Sequence, residues 1–416
     1  MPISAASFKD FSANDIALVK GAKDENHIGN LFDRAWRVMV DWFCNTKKDD
    51  ACRLLFHVIN DAEPEPRCKA FEDLKALASE PFRERFKKAL NEERLIEFKI
   101  ALEGGPVTFE IPEGCSLAGI NLSGADLREI DLRDKNLEGV DFSGANLEGA
   151  KFGGAKLESS KFNGANLYGA DFTGANVSSA KFCSAVLDSA VFINANLQYA
   201  DFSVDRSGAP VTRLVNATLD RADLGSANFN GVVAPGASFK EAILKCAVFV
   251  DADLSRADFS NSKPLETNFT GAQLHQAKFQ RCVVNSVVFE DAKMTEIDFT
   301  EAEVSNSKFK GADLSQSRLT NASVVSSDMS SVNFEKSQLF SARLTNVDLG
   351  GTKMIEANLQ YLTIENCRVD GLDVKRTAGD HVILRDLDMK GVINRQHAPG
   401  LLAADCQRVS NLSKVS

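Results

Sequence analysis

A spacing of five decides what this chain can become. Residues 141–172 read DFSGANLEGAKFGGAKLESSKFNGANLYGADF, with large apolar residues at Phe142, Leu147, Phe152, Leu157, Phe162, Leu167 and Phe172. A small residue stands two places ahead of each from Leu147 onward. An α-helix turns ~100° per residue, so a five-residue step rotates ~140° and builds no apolar stripe. A straight strand also fails: Ala145 and Leu147 would share a face, but Ala150, three residues on, would point away. The spacing is satisfied only if the chain bends once per pentad. The large residue and the small one before it then point inward, and the rest turn a corner. Four corners close a square, so about twenty residues make one coil, stacked ~4.8 Å above the last with backbone groups paired between coils. Phe recurs every ten residues from Phe142 to Phe202. That predicts Phe columns on two opposite walls and aliphatic columns on the other two.

The repeat pauses at SVDRSGAPVTR, residues 203–213, and resumes at Leu214 in a frame two residues beyond two pentads, which predicts a looped-out insertion. It then persists to Val374, Leu384 and Met389, with Ala234, Pro264 and Gly379 interrupting the large slot and Pro264 marking a bent corner. The whole repeat amounts to roughly thirteen coils and a rod of order 60 Å. Up to about Gly104 the rules differ. HIGNLFDRAWRVMVDWFC, KKDDACRLLFHVIND, EPRCKAFEDLKALAS and EPFRERFKKALNEERLIEFKIALE read as four helices, the last two with Pro in the first turn. The expected organisation is a disordered N-terminus carrying a candidate secretion signal (1–26), a small α-helical domain (27–105) and a first β-helix segment (106–202). The insertion (203–213), a second β-helix segment (214–393) and a C-terminal cap or tail (394–416) follow.

GANLEGA, GANLYGADF, DADLSRADF and GADLSQS resemble the A(D/N)Lxx units of the pentapeptide-repeat family. The resemblance implies a mainly β protein, a right-handed quadrilateral β-helix. Lys135 in a small slot and Leu362, Leu372 and Leu387 near the end depart from the pattern, implying distorted first coils and looser last ones. The head, AWRVMVDWFCNTKKDDACRLLF ahead of the pentads, is similar in layout to effectors injected by type III secretion systems.

The formal net charge of -10 excludes a general affinity for nucleic acid or anionic membranes. No stretch approaches the ~20 apolar residues of a membrane span, and the N-terminus lacks the basic and apolar regions of a Sec signal. The nine cysteines include no CxxC pair or zinc spacing. Cys115, Cys282 and Cys367 occupy small slots and read as buried hydrophobes in a reduced protein. His27, His57, His275, His381 and His397 are scattered, and acid pairs such as Asp251 with Asp253 or Glu301 with Glu303 fall at outward corners. No catalytic, metal or cofactor site is expected.

The expected function is a non-enzymatic protein-binding scaffold, held in the bacterial cytoplasm before export and acting on a host protein. Candidate contacts are Asp205, Arg206 and Arg213 at the insertion, with Val248 and Val288 on one wall and Val283 on the next. A DNA mimic that binds a topoisomerase is the alternative, although outward columns such as Asp141, Lys161, Lys181, Asp201 mix signs. A ligase-like effector is a third, for which Asp41, Cys44, His57 and Cys406 are the residues to watch.

Overall fold

A computed structural model describes residues 54, 57–58, 64–77, 86–90, 96–100, 107–110, 117–204, 210–398 and 405–407. The expectations for residues 1–26, for Asp41 and Cys44, for Cys115 and for most of the first two helices lie outside them.

From residue 117 to residue 393 the pentads coil as their spacing requires. Phe142, Leu147, Phe152 and Leu157 and the alanines before them, Ala145, Ala150 and Ala155, are buried. Parallel bridges join residues one coil apart, as in Asn121 to Asp141, Asp141 to Lys161 and Lys161 to Lys181. Each large residue donates its amide to the coil ahead (Phe142 N–H to Lys161 O, 2.7 Å), and its neighbour donates to the coil behind (Asp141 N–H to Ile120 O, 3.0 Å). Most corners are closed by a turn bond, such as Ala145 N–H to Phe142 O at 3.0 Å. The second turn residue sits in the left-handed region: Gly144 at φ 64°, but also Ser159 at 57° and Asn194 at 57°. Non-glycine residues accept that conformation at a cost of ~1 kcal/mol each, offset by the turn and inter-coil bonds.

The filling is as expected. Phe rings of one column stack along the axis (Phe142 on Phe162 at 5.2 Å, Phe182 on Phe202 at 4.6 Å). They stand perpendicular to the column opposite, as for Phe172 against Phe182 at 86°. The walls are numbered here by their large residues: first, Phe142; second, Leu147; third, Phe152; fourth, Leu157.

The insertion is larger than the sequence arithmetic suggests. Val186 pairs with Arg213 and Asp201 with Asn228, twenty-seven residues apart instead of twenty. One pentad therefore carries seven extra residues, where two beyond two pentads was expected. Thr212 and Leu214 fill the next small and large slots directly, both fully buried. Phe202 consequently stacks on Phe229 at 4.5 Å and the column runs on unbroken.

Pro264 is a turning point, as its place in a large slot predicts. It has no N–H for the coil ahead, and from there the fourth wall becomes a parallel sheet of three-residue strands. These are β4 (Val283–Asn285), β5 (Glu303–Ser305), β6 (Ser323–Val325), β7 (Arg343–Thr345), β8 (Thr363–Glu365) and β9 (Ile383–Arg385). Near the end, Leu362, Leu372 and Leu387 are swallowed by the core. Gly379 fills a large slot with φ 134°; a Cβ there would stand 2.4 Å from Gln360 N. At the other end Lys135 is exposed, so its small slot is not filled.

The head corrects one expectation and keeps another. α1 spans Pro64–Leu77, with Cys68, Ala70, Phe71 and Leu74 on its buried side. The segment read as a final helix is instead β1 (Phe86–Leu90) and β2 (Ile96–Ile100), paired antiparallel. β3 (Val107–Glu110), expected within the first β-helix segment, pairs antiparallel with β2. Ile96, Phe98 and Ile100 alternate at a period of two, and that pattern outweighed a Lys- and Glu-rich composition that favours helix. β1 is held because Ala89 bridges to Asp126, adding a strand to the first coil's second wall. Lys88, 5% exposed, locks the joint. Its Nζ lies 2.6 Å from Glu72 and 2.9 Å from Ser123 O, with Asn121 O and Oδ1 at 3.3 and 3.2 Å. Burial lowers the Lys88 pKa, although Glu72 opposes that shift. At the far end β10 (Asp405–Gln407) pairs parallel with β9, extending the fourth wall by one strand.

Candidate interaction surface

Three positions of every pentad face outward: the wall residue before the large one, and the two turn residues after it. Wall residues are so often Asp or Asn because the side chain closes the next turn. Asp141 Oδ1 accepts Ser143 N–H at 2.9 Å, Asp171 accepts Thr173 N–H at 2.9 Å and Asp348 accepts Gly350 N–H at 2.8 Å. These are Asx turns, satisfying an amide that no neighbouring coil reaches. Asn side chains also bond along the wall, Asn166 to Asn146 at 3.1 Å and Asn196 to Asn176 at 3.0 Å. Asp253 likewise bonds Ser255, and Glu301 pairs with Arg281 at 2.8 Å. Two of the suspected acid pairs thus each spend a member on structure.

The surface charge is locally balanced. Asp131 pairs with Arg133 at 2.6 Å, and hydrogen bonds from Arg133 lower its carboxyl pKa to about 2. Asp258 stands between Lys240 at 3.4 Å and Lys278 at 3.7 Å. Burial pushes its pKa up, but hydrogen bonds from Ser260 and the two ammonium groups outweigh that and lower it. On the third wall Asp131, Lys151 and Asp171 follow one another along the axis. That column is therefore not a strip of one sign at phosphate-like spacing.

The expected contact residues divide. Asp205 and Arg206 lie outside the described residues. Arg213 bridges to Val186 on the second wall and grips Asp188 at 2.9 Å, stapling the chain where it returns from the insertion. Val248 and Val288 share the first wall, two coils apart with Asn268 between them, and both are half-buried. Val283 stands on the fourth wall and is 49% exposed. Sequence reasoning passed over Ile243, 47% exposed and two coils before Val283, and Leu265 in the coil between. Ile243 was visible as an apolar residue in a wall slot that usually holds a polar one. Phe340, Tyr361 and His381 also group on one corner, Tyr361 stacked on His381 at 5.1 Å.

Residues considered for chemistry are dispersed. His57 lies in a helical segment, and His275 Nδ1 meets Thr295 Oγ1 at 2.6 Å. Cys282 and Cys367 are buried; burial pushes the Cys282 pKa up to about 11 and raises that of Cys367. Cys406 takes the register position opposite Leu384. Among the described residues no three His, Cys, Asp or Glu side chains gather as a metal site, and no helix is long and apolar enough to cross a membrane.

No curated protein matches the chain in sequence. Among solved structures it is similar to HetL, a pentapeptide repeat protein involved in heterocyst differentiation regulation from the cyanobacterium Nostoc sp. strain PCC 7120. The identity is 19% over 61% of this chain and 90% of that one, with a TM-score of 0.21. It is similar to QnrB1, a plasmid-mediated fluoroquinolone resistance protein, at 16% identity over 61% and 85% with a TM-score of 0.18. Rfr23 from the cyanobacterium Cyanothece 51142 is 18% identical over 38% and 91%, with a TM-score of 0.14. Residues 252–328 match the description "Pentapeptide repeat region". Residues 115–154, 150–188, 172–203, 222–261 and 333–371 match "Pentapeptide repeats (8 copies)". With more than half its length matched, and coiled as those units require, the chain belongs to the pentapeptide-repeat family.

Proposed function

We propose that this protein is a non-enzymatic protein-binding scaffold, exported by a type III system as a bacterial effector and engaging a host protein along its coiled surface. One observation carries the binding role. Two residues of each pentad are consumed by the core, while the outward ones are pinned by inter-coil bonds, turn bonds and Asx bonds. Such a surface presents side chains at fixed positions with little entropy left to lose on binding. The alternating signs of the third wall count against the topoisomerase-directed alternative.

Two experiments test the two parts separately. Photo-crosslinking residues placed on each wall of the full-length protein should capture a protein partner from host lysate on one wall and not on the others. Uniform or absent capture would overturn the scaffold reading. Deleting residues 1–20 should abolish translocation into host cells. If the full-length protein never leaves the bacterium, the effector reading falls and the scaffold reading stands.

A further inference from the structure

We propose that Lys88 and Asn121 join in a self-formed isopeptide bond, Nζ to Cγ, which welds the head to the first coil of the rod with Glu72 as proton carrier. The proposal concerns this joint alone and does not rest on the binding reading. It is a single internal event, not turnover of a substrate.

Three separate elements bring the groups together. Glu72 comes from α1, Lys88 from β1 and Asn121 from the first wall of the first coil. Lys88 Nζ lies 2.6 Å from Glu72 Oε1 and 3.2 Å from Asn121 Oδ1. The amine thus has a carboxylate base on one side and a carboxamide electrophile on the other. A fourth group completes the set. Ser123 N–H donates to Asn121 Oδ1 at 2.9 Å, which polarises the carbonyl and stabilises the negative charge that builds on its oxygen under attack.

The surroundings favour the reactive forms. The Lys88 side chain is 2% exposed, and its Nζ stands 6.0 Å over the ring of Phe98. Phe98 is itself fully buried, edge-on to Phe71. Burial lowers the Lys88 pKa and so favours the neutral amine. Glu72 Oε1 is buried too, and among the described residues only the Lys88 ammonium meets it. Residue 121 has the chemistry required. Asp141, Asp171 and Asp348 close the same kind of turn with a carboxylate, and a carboxylate at 121 would also have paired with a buried ammonium. The carboxamide found there carries a nitrogen that can leave.

The step balances within the joint. Glu72 takes one proton from the Lys88 ammonium, and the freed lone pair adds to Asn121 Cγ. The Nζ–Cγ bond forms and the Cγ–Nδ2 bond breaks. One of the two protons still on Nζ goes to Nδ2, which departs as ammonia. The proton held by Glu72 follows it, leaving a secondary amide, an ammonium ion and the original carboxylate. Nothing is oxidised or reduced.

Mass spectrometry of the purified full-length protein, denatured, tests this. The intact mass should fall short of that of the unlinked chain by one ammonia, and a tryptic digest should contain a branched peptide joining the segments around Lys88 and Asn121. Asn121→Ser, which keeps a hydroxyl for the turn, should show neither. Glu72→Gln should link at least about a hundredfold more slowly. Wild-type protein that stays at full mass overturns the proposal, and so does linkage undiminished in either variant. Ammonia loss without the branched peptide, as from a succinimide at Asn163-Gly164, overturns it as well. The wild-type measurement decides the matter even where a variant fails to fold.

Discussion

The rod before Pro264 and the rod after it obey one spacing with two different corners. Before Pro264 the fourth-wall corners are closed by turn bonds: Ala180 N–H to Val177 O at 3.1 Å, Ala200 to Leu197 at 3.0 Å, Ala247 to Leu244 at 3.1 Å. After it the wall extends into strands, and side chains of the next coil take over. Val287 N–H donates to Ser307 Oγ and Ser307 N–H to Ser327 Oγ, both at 3.1 Å, while Val347 N–H meets Cys367 Sγ at 3.4 Å. The core changes as well: the first-wall column runs in Phe to Phe309 and then passes to Met329 and Leu349. A solenoid tolerates two corner types on one wall because each coil must match only its neighbours.

The largest expected effect probes the core difference. Phe249 stacks on Phe229 and Phe269 at 4.8 and 4.9 Å and meets Phe239 and Phe259 edge-on. Phe249→Ala should cost about 5 kcal/mol, at the upper end for emptied aromatic sites because ring pairs are lost with the area. Met329→Ala, in the same column where Phe has ended, should cost about 2 kcal/mol. Urea unfolding of the two variants compares them, and equal losses would show that ring stacking adds nothing beyond area.

A smaller effect, with opposite signs, probes the corners. Ser327 Oγ donates to Val325 O at 2.9 Å and accepts Ser307 N–H, so Ser327→Ala strands a buried amide and should cost ~1–3 kcal/mol. Ser317 is equally buried in a closed corner, its amide bonded to Leu314 O at 3.2 Å, but its hydroxyl has no partner among the described residues. Ser317→Ala should be neutral or stabilising. Matching destabilisation in both would mean that the open corner does not depend on its hydroxyls.

Much of this was legible. The coil, its Phe columns and the corner at Pro264 follow from spacing alone, since only a bend every fifth residue buries two residues of each pentad. The open corners were not legible, because Val177 and Val304 are the same residue in equivalent slots and only the first closes. The small residue that follows, Ala180 against Ser307, and the presence of a matching coil above decide between them, and that is tertiary information. The size of the insertion was hidden because Leu214 suits either frame until Thr212 is seen filling the small slot. The strands β1 and β2 were missed because β1 owes its shape to Asp126, far along the chain. Of the expected surface site, Val248, Val283 and Val288 stand on the walls assigned to them, while Arg213 turned out to be committed to Asp188.

The smallest effect separates the first coils from the rest. Asp131 titrates at about 2 because Arg133 hydrogen-bonds its carboxylate, and Asp126 and Asp141 are also lowered, Asp126 chiefly by Arg128 and Asp141 by Ser143 and Lys161 against the opposing influence of burial. A carboxyl whose folded pKa lies below its unfolded value of ~3.9 adds stability above that pH and loses it as pH falls through the folded value. The first coils should therefore loosen between about pH 4 and pH 2. With half of the Asp131 side chain open to water, solvent screening holds its share below about 1 kcal/mol. Urea midpoints at pH 5 and pH 2.5 should lie further apart for the wild type than for Asp131→Asn, which has no carboxyl to protonate. Amide exchange should place the early loss at residues 117–145. Loss that begins instead at the strands β4–β9 would mean that the open corners, and not the paired carboxylates of the first coils, set the acid limit.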